Sequence, residues 1–208
     1  MISGGISNAV IHRLPRYYRY IRDMYNENVE RVSSQELSLL MKTTASQVRQ
    51  DFNMFGGFGQ QGYGYNVQTL YKEIGDIIGV NQCRNIIIIG AGNLGQALMN
   101  YMNFPKFNFE MKGMFDINPR LIGLVVRGIE IQPLDDLESF LMENKVEIAA
   151  LTLPRTQARE VAERLVQAGI KAIWNFAPID LDLPDDVVVE NVHLTESLMQ
   201  LVFRCNHM

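Results

Sequence analysis

Residues 85 to 101 read NIIIIGAGNLGQALMNY. Four consecutive isoleucines, 86 to 89, run into glycines 90, 92 and 95, and a stretch with helical spacing follows. This passage constrains the fold more than any other. A β-branched run without polar alternation fits a strand covered on both faces, as strands are in a parallel sheet flanked by helices. The glycines supply the spacing G-x-G-x-x-G, a weak signal alone and a stronger one between a buried strand and a helix. Gly90 permits the tight turn, Gly92 lets backbone approach a pyrophosphate, and Gly95 lets helix and strand pack closely. The pyrophosphate would rest on the helix N-terminus near Asn93 and Leu94, held by amides and the helix dipole.

A second strand pattern, within KGMFDINP, ends at Asp116, 26 residues after Gly90. A carboxylate there accepts both ribose hydroxyls of NAD and repels the 2′-phosphate of NADP. The nearest arginine that could rescue NADP is Arg120. Apolar runs and helical spacing then alternate. Strands are expected at 85–89, 109–116, 129–131, 146–152, 171–174 and 187–190, and helices at 93–103, 134–143 and 155–168. A last helix, 193–206, carries Leu194, Leu198, Leu201 and Val202. Alternation of this kind predicts an α/β fold, a Rossmann-type domain.

The front of the chain follows a different pattern. Residues 8–26 show helical spacing at Ile11, Leu14, Tyr18 and Ile21, with Pro15 inside it as a possible kink or late start. Ser33 with Glu36 is a capping-box signature, and Leu37, Leu40 and Met41 form the apolar face behind it. Thr43 or Thr44 can cap a third helix that buries Val48, Phe52 and Phe55. About three residues separate these two helices, the form of a helix-turn-helix. The stretch GGFGQQGYGYNV, 56–67, reads as a β-hairpin wing with Gln60-Gln61-Gly62 at its tip, and another helix with Leu70, Ile74, Ile77 and Ile78 follows. The expected organisation is a winged helix-turn-helix over 1–80, a Rossmann domain over 81–192 and a C-terminal helix over 193–208.

Several function classes lose support. Net charge is −4, yet residues 1–66 carry +2 and the remainder −6, which permits an anionic partner for the front part alone. Ser46, Gln47, Arg49 and Gln50 face outward from the third helix, where Arg can read guanine, Gln adenine, and Ser can reach phosphate. Arg13, Arg16 and Arg19 on the first helix can add backbone contacts, and Gly59, Gln60 and Gly62 of the wing can lie along a groove. Cys83 and Cys205 have no metal-ligand or disulfide-framework spacing, so no metal is expected and a reducing cytoplasm is the simplest compartment. No apolar run reaches the roughly 18 residues that a membrane span needs, and the start of the chain lacks a signal-peptide pattern. A hydride-transfer enzyme needs a substrate pocket and an acid or base. The nucleotide fold uses nearly all residues after 84, and His12, His193 and His207 are poorly placed for catalysis. The alternative is a small NAD-dependent oxidoreductase with its active site at a dimer interface. A regulatory nucleotide module whose front domain binds protein is a third.

In sequence, RLPRYYRYI, SQVRQDFNMFGGFGQQGYGYNV, IIIIGAGNLGQALMNY, GMFDINP, IAALTLPRTQA, GIKAIWNFAPIDLDLP and VVVENVHLTESL together resemble the Rex family of redox-sensing transcriptional repressors, over nearly the whole chain. The resemblance implies no enzyme but a homodimer that binds double-stranded palindromic operators when NAD+ dominates and leaves them when NADH rises. It implies that the last helix is exchanged between subunits. It places Tyr101 near the nicotinamide, has Thr152, Leu153, Pro154, Asn175, Phe176 and Pro178 line the cofactor cleft with Ala91, Ile117 and Asn118, and brings Leu194 from the partner's helix. Two departures stand out. The family often has Lys at the position of Gln50, and some members pair an acid at the position of His193 with the arginine at Arg19. A histidine cannot make that pair.

Overall fold

A computed structural model describes residues 7–55, 59–60, 63–101 and 104–207. The chain divides into two compact units, 1–82 and 83–208.

In the first unit, α1 (Asn8–Asn26) runs unbroken through Pro15. It buries Leu14, Tyr17, Tyr18 and Ile21. The two-residue strand β1 (Arg31–Val32) follows. Then comes α2 (Ser34–Met41), opened by the expected capping box: the Glu36 amide donates to Ser33 Oγ at 3.1 Å, and the Ser33 amide to Glu36 Oε2 at 2.7 Å. Lys42, in the left-handed conformation at φ 52°, ends α2 and reverses the chain within one short turn. Thr44, of the two expected candidates, caps α3 (Ala45–Asn53) by accepting the Gln47 amide at 3.1 Å. Strands β2 (Gly59–Gln60) and β3 (Gly64–Asn66) form the wing and, with β1, a three-stranded sheet in the order β1-β3-β2. Helix α4 (Val67–Ile78) completes the unit on Val67, Leu70 and Ile74. Leu40 departs from expectation: it is 37% exposed, because Leu37, Ser38 and Met41 fill the core-facing stripe of a helix two turns long. The expected tip residues Gln61 and Gly62 lie outside the described residues.

In the second unit the chain order is β4 (Arg84–Ile89), α5 (Asn93–Tyr101), a 3₁₀ turn at Phe104–Phe107, β5 (Phe109–Asp116), β6 (Val125–Val126) and β7 (Ile129–Pro133). A 3₁₀ turn at Leu134–Asp136 leads into α6 (Leu137–Glu143), so the single helix expected at 134–143 is split. Then follow β8 (Ile148–Leu151), α7 (Arg155–Gln167), β9 (Ala172–Asn175), β10 (Val188–Asn191) and α8 (Leu194–Cys205). The sheet order is β10-β9-β8-β4-β5-β7-β6, parallel throughout except for the β6–β7 hairpin. Ile87 and Ile89 pack against Leu137 of α6 and Ala158, Val161 and Leu165 of α7, while Ile88 faces the opposite layer with Met99, Met114 and Ile131. Both faces are covered at the centre of the sheet, so neither parity can be polar. Helix α8 is the exception to this economy. None of its residues is buried, and Leu194, Leu198, Leu201, Val202 and Phe203 are each more than half exposed.

Candidate dinucleotide site and recognition helix

The chain order reverses at β4, with β5 on one side and β8 on the other. Ligands of open parallel sheets bind outside the carboxyl ends of the strands at such a switch point. The expected cofactor residues fall there: Gly90 after β4, Asp116 at the end of β5, Thr152, Leu153 and Pro154 after β8, and Asn175, Phe176 and Pro178 at the end of β9 and in the loop beyond it.

The three glycines are needed for different reasons. Gly90 has φ +102°, and a Cβ there would meet Thr152 O and Oγ1 at 2.8 Å. Its amide donates to Phe115 O at 2.8 Å and its carbonyl accepts from Thr152 Oγ1 at 2.7 Å, so the turn is clamped from both neighbouring strands. A Cβ on Gly95 would sit 2.0 Å from Gly90 O. At Gly92 a Cβ would meet nothing within 4 Å. The chain's own packing therefore requires Gly90 and Gly95 and leaves open space at Gly92. That space adjoins the first turn of α5, whose amides at Asn93, Leu94 and Gly95 have no intrahelical acceptor. An anionic pyrophosphate fits such a cradle by charge and by the donors it lacks.

Asp116 does two jobs. Its Oδ2 accepts the Ala91 amide at 2.6 Å and its Oδ1 the Asn118 amide at 2.7 Å, while Asn118 Oδ1 caps Arg120. A carboxylate has about four acceptor sites, so capacity remains for ribose hydroxyls. Gln96 Nε2 closes the loop onto Ala91 O at 2.8 Å. Ile117 is exposed beyond it. Asn175 is fully buried: its Nδ2 donates to Ile179 O and Asn191 Oδ1, and its Oδ1 accepts the Ala177 amide. It braces the loop that carries Phe176 and Pro178. Tyr101 ends α5, and Arg127 Nη2 caps that end through Asn100 O at 2.7 Å. His193 opens α8 and lies 3.3 Å from Asp180 Oδ1.

On α3, Ser46, Arg49 and Gln50 are exposed at helical spacing. Asn53 continues the same face; its spacing from Ser46 and Gln50 would have revealed it. Arg49 Nη1 donates to Ser34 Oγ at 3.0 Å. Arg13 and Gln47 are half-buried and turned inward. Asp51, 1% exposed, accepts Arg13 Nε and Nη2 at 2.8 Å each, Tyr17 Oη at 3.0 Å and Gln47 Nε2 at 2.9 Å. Burial alone would raise the Asp51 carboxyl, but the hydrogen bonds from Arg13, Gln47 and Tyr17 outweigh it and hold the pKa below the ordinary value. The Tyr17 hydroxyl is pushed up, first by burial and then by the Asp51 charge. Arg16 is exposed and donates to Leu40 O at 3.2 Å. Gly59 and Gln60 lie in β2, and Gly62 is outside the described residues.

Residues 5–53 match the family model described as a putative DNA-binding protein N-terminus, and residues 81–179 the one described as a CoA binding domain. The redox-sensing transcriptional repressor Rex of Clostridium perfringens (strain SM101 / Type A) is 55% identical over 203 residues, 98% of this chain and 96% of that protein. The chain belongs to the Rex family. The Rex repressor of Thermoanaerobacter sp. (strain X514) is 56% identical over 97% of this chain and 90% of its own length. Two solved Rex-family structures superpose closely. RSP in complex with β-NAD+ and operator DNA gives a TM-score of 0.93 at 55% identity, covering 99% of this chain and 94% of that one. RSP in complex with β-NADH gives 0.89 at 52% identity, with 97% and 95% covered. Both Rex relatives are redox-sensing transcriptional repressors. Among the described residues no group of three or more His, Cys, Asp or Glu could hold a metal ion, and no helix is long and apolar enough to cross a membrane.

Proposed function

We propose that this protein is a homodimeric repressor of the bacterial cytoplasm that binds a palindromic duplex operator and releases it when NADH occupies the site at Gly90–Gly95. The observation that carries this reading is the near-complete match, at 55% identity, to a repressor solved with both β-NAD+ and operator DNA. The open space at Gly92 and the exposed face of α3 give both ligands a place on one chain.

The cleft comprises Gly90, Ala91, Gly92, Asn93, Leu94 and Gly95, with Asp116, Ile117 and Asn118 at the ribose and adenine end and Tyr101, Thr152, Leu153, Pro154, Asn175, Phe176 and Pro178 toward the nicotinamide. The two redox forms differ at that ring, cationic in NAD+ and neutral in NADH. Apolar side chains such as Phe176 and the partner's Leu194 favour the neutral ring, because burying an unpaired charge is costly. Helix α8 supports the dimer: an amphipathic helix with no buried residue in its own chain has its apolar stripe free for a second copy. Exchanging α8 between subunits would place Leu194 at the partner's cleft and tie dimer geometry to cofactor state.

The DNA face comprises Ser46, Arg49 and Gln50, with Arg16 and the wing residues Gly59, Gln60 and Gly62 along the backbone. Two recognition helices must stand about 34 Å apart to reach half-sites one turn apart. A dimer geometry that NADH favours and DNA does not fit lowers operator affinity, and DNA must weaken NADH binding by the same factor. Operator binding followed by fluorescence anisotropy at fixed salt, with NAD+ and then NADH, tests this. NADH should weaken binding at least tenfold, and Arg49→Ala should weaken operator binding at least tenfold while NADH affinity holds. Operator affinity that ignores NADH refutes the sensor reading.

A further inference from the structure

Six polar side chains near α3 have the chemistry to contact a duplex: Arg13, Ser46, Gln47, Arg49, Gln50 and Asn53. Arg49 donates to Ser34 Oγ yet stays exposed, whereas Arg13 and Gln47 are held by a buried carboxylate. Arg13 presents its planar fork to Asp51 with both bonds at 2.8 Å, and Gln47 turns its amide nitrogen onto Asp51 Oδ1 at 2.9 Å. With the Tyr17 hydroxyl, Asp51 accepts four bonds and its acceptor sites are filled. Tyr17 is itself fully buried and its ring packs 5.0 Å from that of Phe52, so the network lies in the α1–α3 seam.

We propose that Arg13 and Gln47 do not read the operator. They are positioning residues that fix, through Asp51, the angle at which α3 leaves α1, and readout falls to Ser46, Arg49, Gln50 and Asn53. This deepens the operator reading above and rests on it. A bidentate, charge-assisted fork is directional, so it holds one crossing geometry where apolar contacts would tolerate several. Moving Arg13 onto a phosphate would leave Asp51 charged and 1% exposed. Breaking a buried pair costs roughly two to three orders of magnitude in an equilibrium constant. One phosphate contact returns about one order near 0.1 M salt, from a slope of about −0.9 per contact. The internal pair wins. Gln47 faces a similar conflict: pairing with adenine needs its amide turned outward, donor and acceptor together, and its donor end is held toward α1.

The test begins with duplexes selected by the wild-type protein from a pool of randomised palindromes. Binding to the selected operator and to a panel with each base pair changed singly is then measured from 50 to 200 mM salt, with melting and NADH affinity recorded for each variant. Arg13→Ala should weaken operator binding at least thirtyfold with the salt slope unchanged. The double variant Arg13→Met/Asp51→Leu removes both charges and keeps the volume filled; it should recover part of the affinity that Arg13→Ala loses, because no charge is left buried alone, and keep the wild-type salt slope. Gln47→Ala should leave the ranking of the panel unchanged, whereas Arg49→Ala should flatten it at one base pair. A double variant that folds, stays as weak as Arg13→Ala and loses about one unit of salt slope makes Arg13 a phosphate contact and overturns the proposal. Lost preference at a single position in Gln47→Ala overturns it for Gln47, and that half-exposed position reports even if the double variant does not fold. If the wild type selects no sequence from the pool, the operator reading itself fails, a result distinct from the other two.

Discussion

At the β4–α5 loop the chain leaves backbone free; on α3 it leaves side chains free. In the loop, side chains brace the main chain: Thr152 clamps Gly90, Gln96 holds Ala91 O, and Asp116 takes the Ala91 amide. What remains open is a row of amides and the space at Gly92. On α3 the main chain is closed within the helix, and recognition depends on which side chains are left over after the fold has used the others. A backbone site is written in glycines and so survives translation into one dimension. A side-chain site is what a network such as Asp51's does not consume.

The largest expected effect tests whether the glycines divide as the geometry says. Gly95→Ala places a Cβ 2.0 Å from Gly90 O, a backbone atom that cannot swing aside. The second unit should lose about 3 kcal/mol or more in denaturant titration, and NADH binding should vanish. Gly92→Ala should melt within about 0.5 kcal/mol of wild type, since its Cβ meets nothing. Its NADH affinity should still fall at least tenfold. If Gly92→Ala binds NADH normally, the open space is not a ligand's space and the contrast with α3 collapses.

Next in size is the fate of α8. Leu198 is 61% exposed, so Leu198→Glu should not disturb a single folded chain. In a dimer built on that stripe it buries an unpaired charge, which costs several kcal/mol. Sedimentation should show monomers, with operator binding lost. A variant that remains dimeric moves the interface elsewhere.

These contrasts also explain how much of the molecule was legible. The isoleucine run, the glycines and the endpoint of β5 at Asp116 could be read because each answers to a local rule. Helix α1 could be read from its spacing even through Pro15, which is exposed and leaves the core stripe of Leu14, Tyr17 and Ile21 intact. Strands β1 and β6, two residues each, have no periodicity to read and exist only because β3 and β7 pair with them. Arg13 and Gln47 look like readers in one dimension because polar residues on a helix are exposed by default. Their partner Asp51 sits 38 residues from Arg13, and only the α1–α3 crossing brings them together. The apolar face of α8 is plain in the sequence, but its lack of cover is not.

A smaller effect follows from Asp51. Its folded pKa lies below its unfolded value, so its stabilisation is fully present above about pH 4, the unfolded carboxyl value, and is lost as pH falls through the folded value. The stability gap between the wild type and Asp51→Asn, which is less stable at pH 7, should persist from neutral pH to about pH 4 and narrow as pH falls further. Parallel melting curves for the two proteins at every pH would mean that the carboxylate charge contributes nothing to the seam.

The smallest effect concerns how the reading face is supported. Ser33 caps α2, and the next residue, Ser34, accepts Arg49 Nη1. Ser33→Ala removes the side-chain half of the capping box and should cost about 1 kcal/mol of stability in the first unit. Fraying the first turn of α2 also loosens Ser34, so operator affinity should fall by severalfold beyond what the lost stability explains. Ser34→Ala separates the two effects: as a half-buried first-turn residue outside the cap it should cost under about 0.5 kcal/mol, yet reproduce the affinity loss. If Ser33→Ala costs stability while Ser34→Ala leaves operator binding untouched, Arg49 finds its geometry on the DNA itself. The side-chain site would then be less preorganised than the backbone site it is compared with.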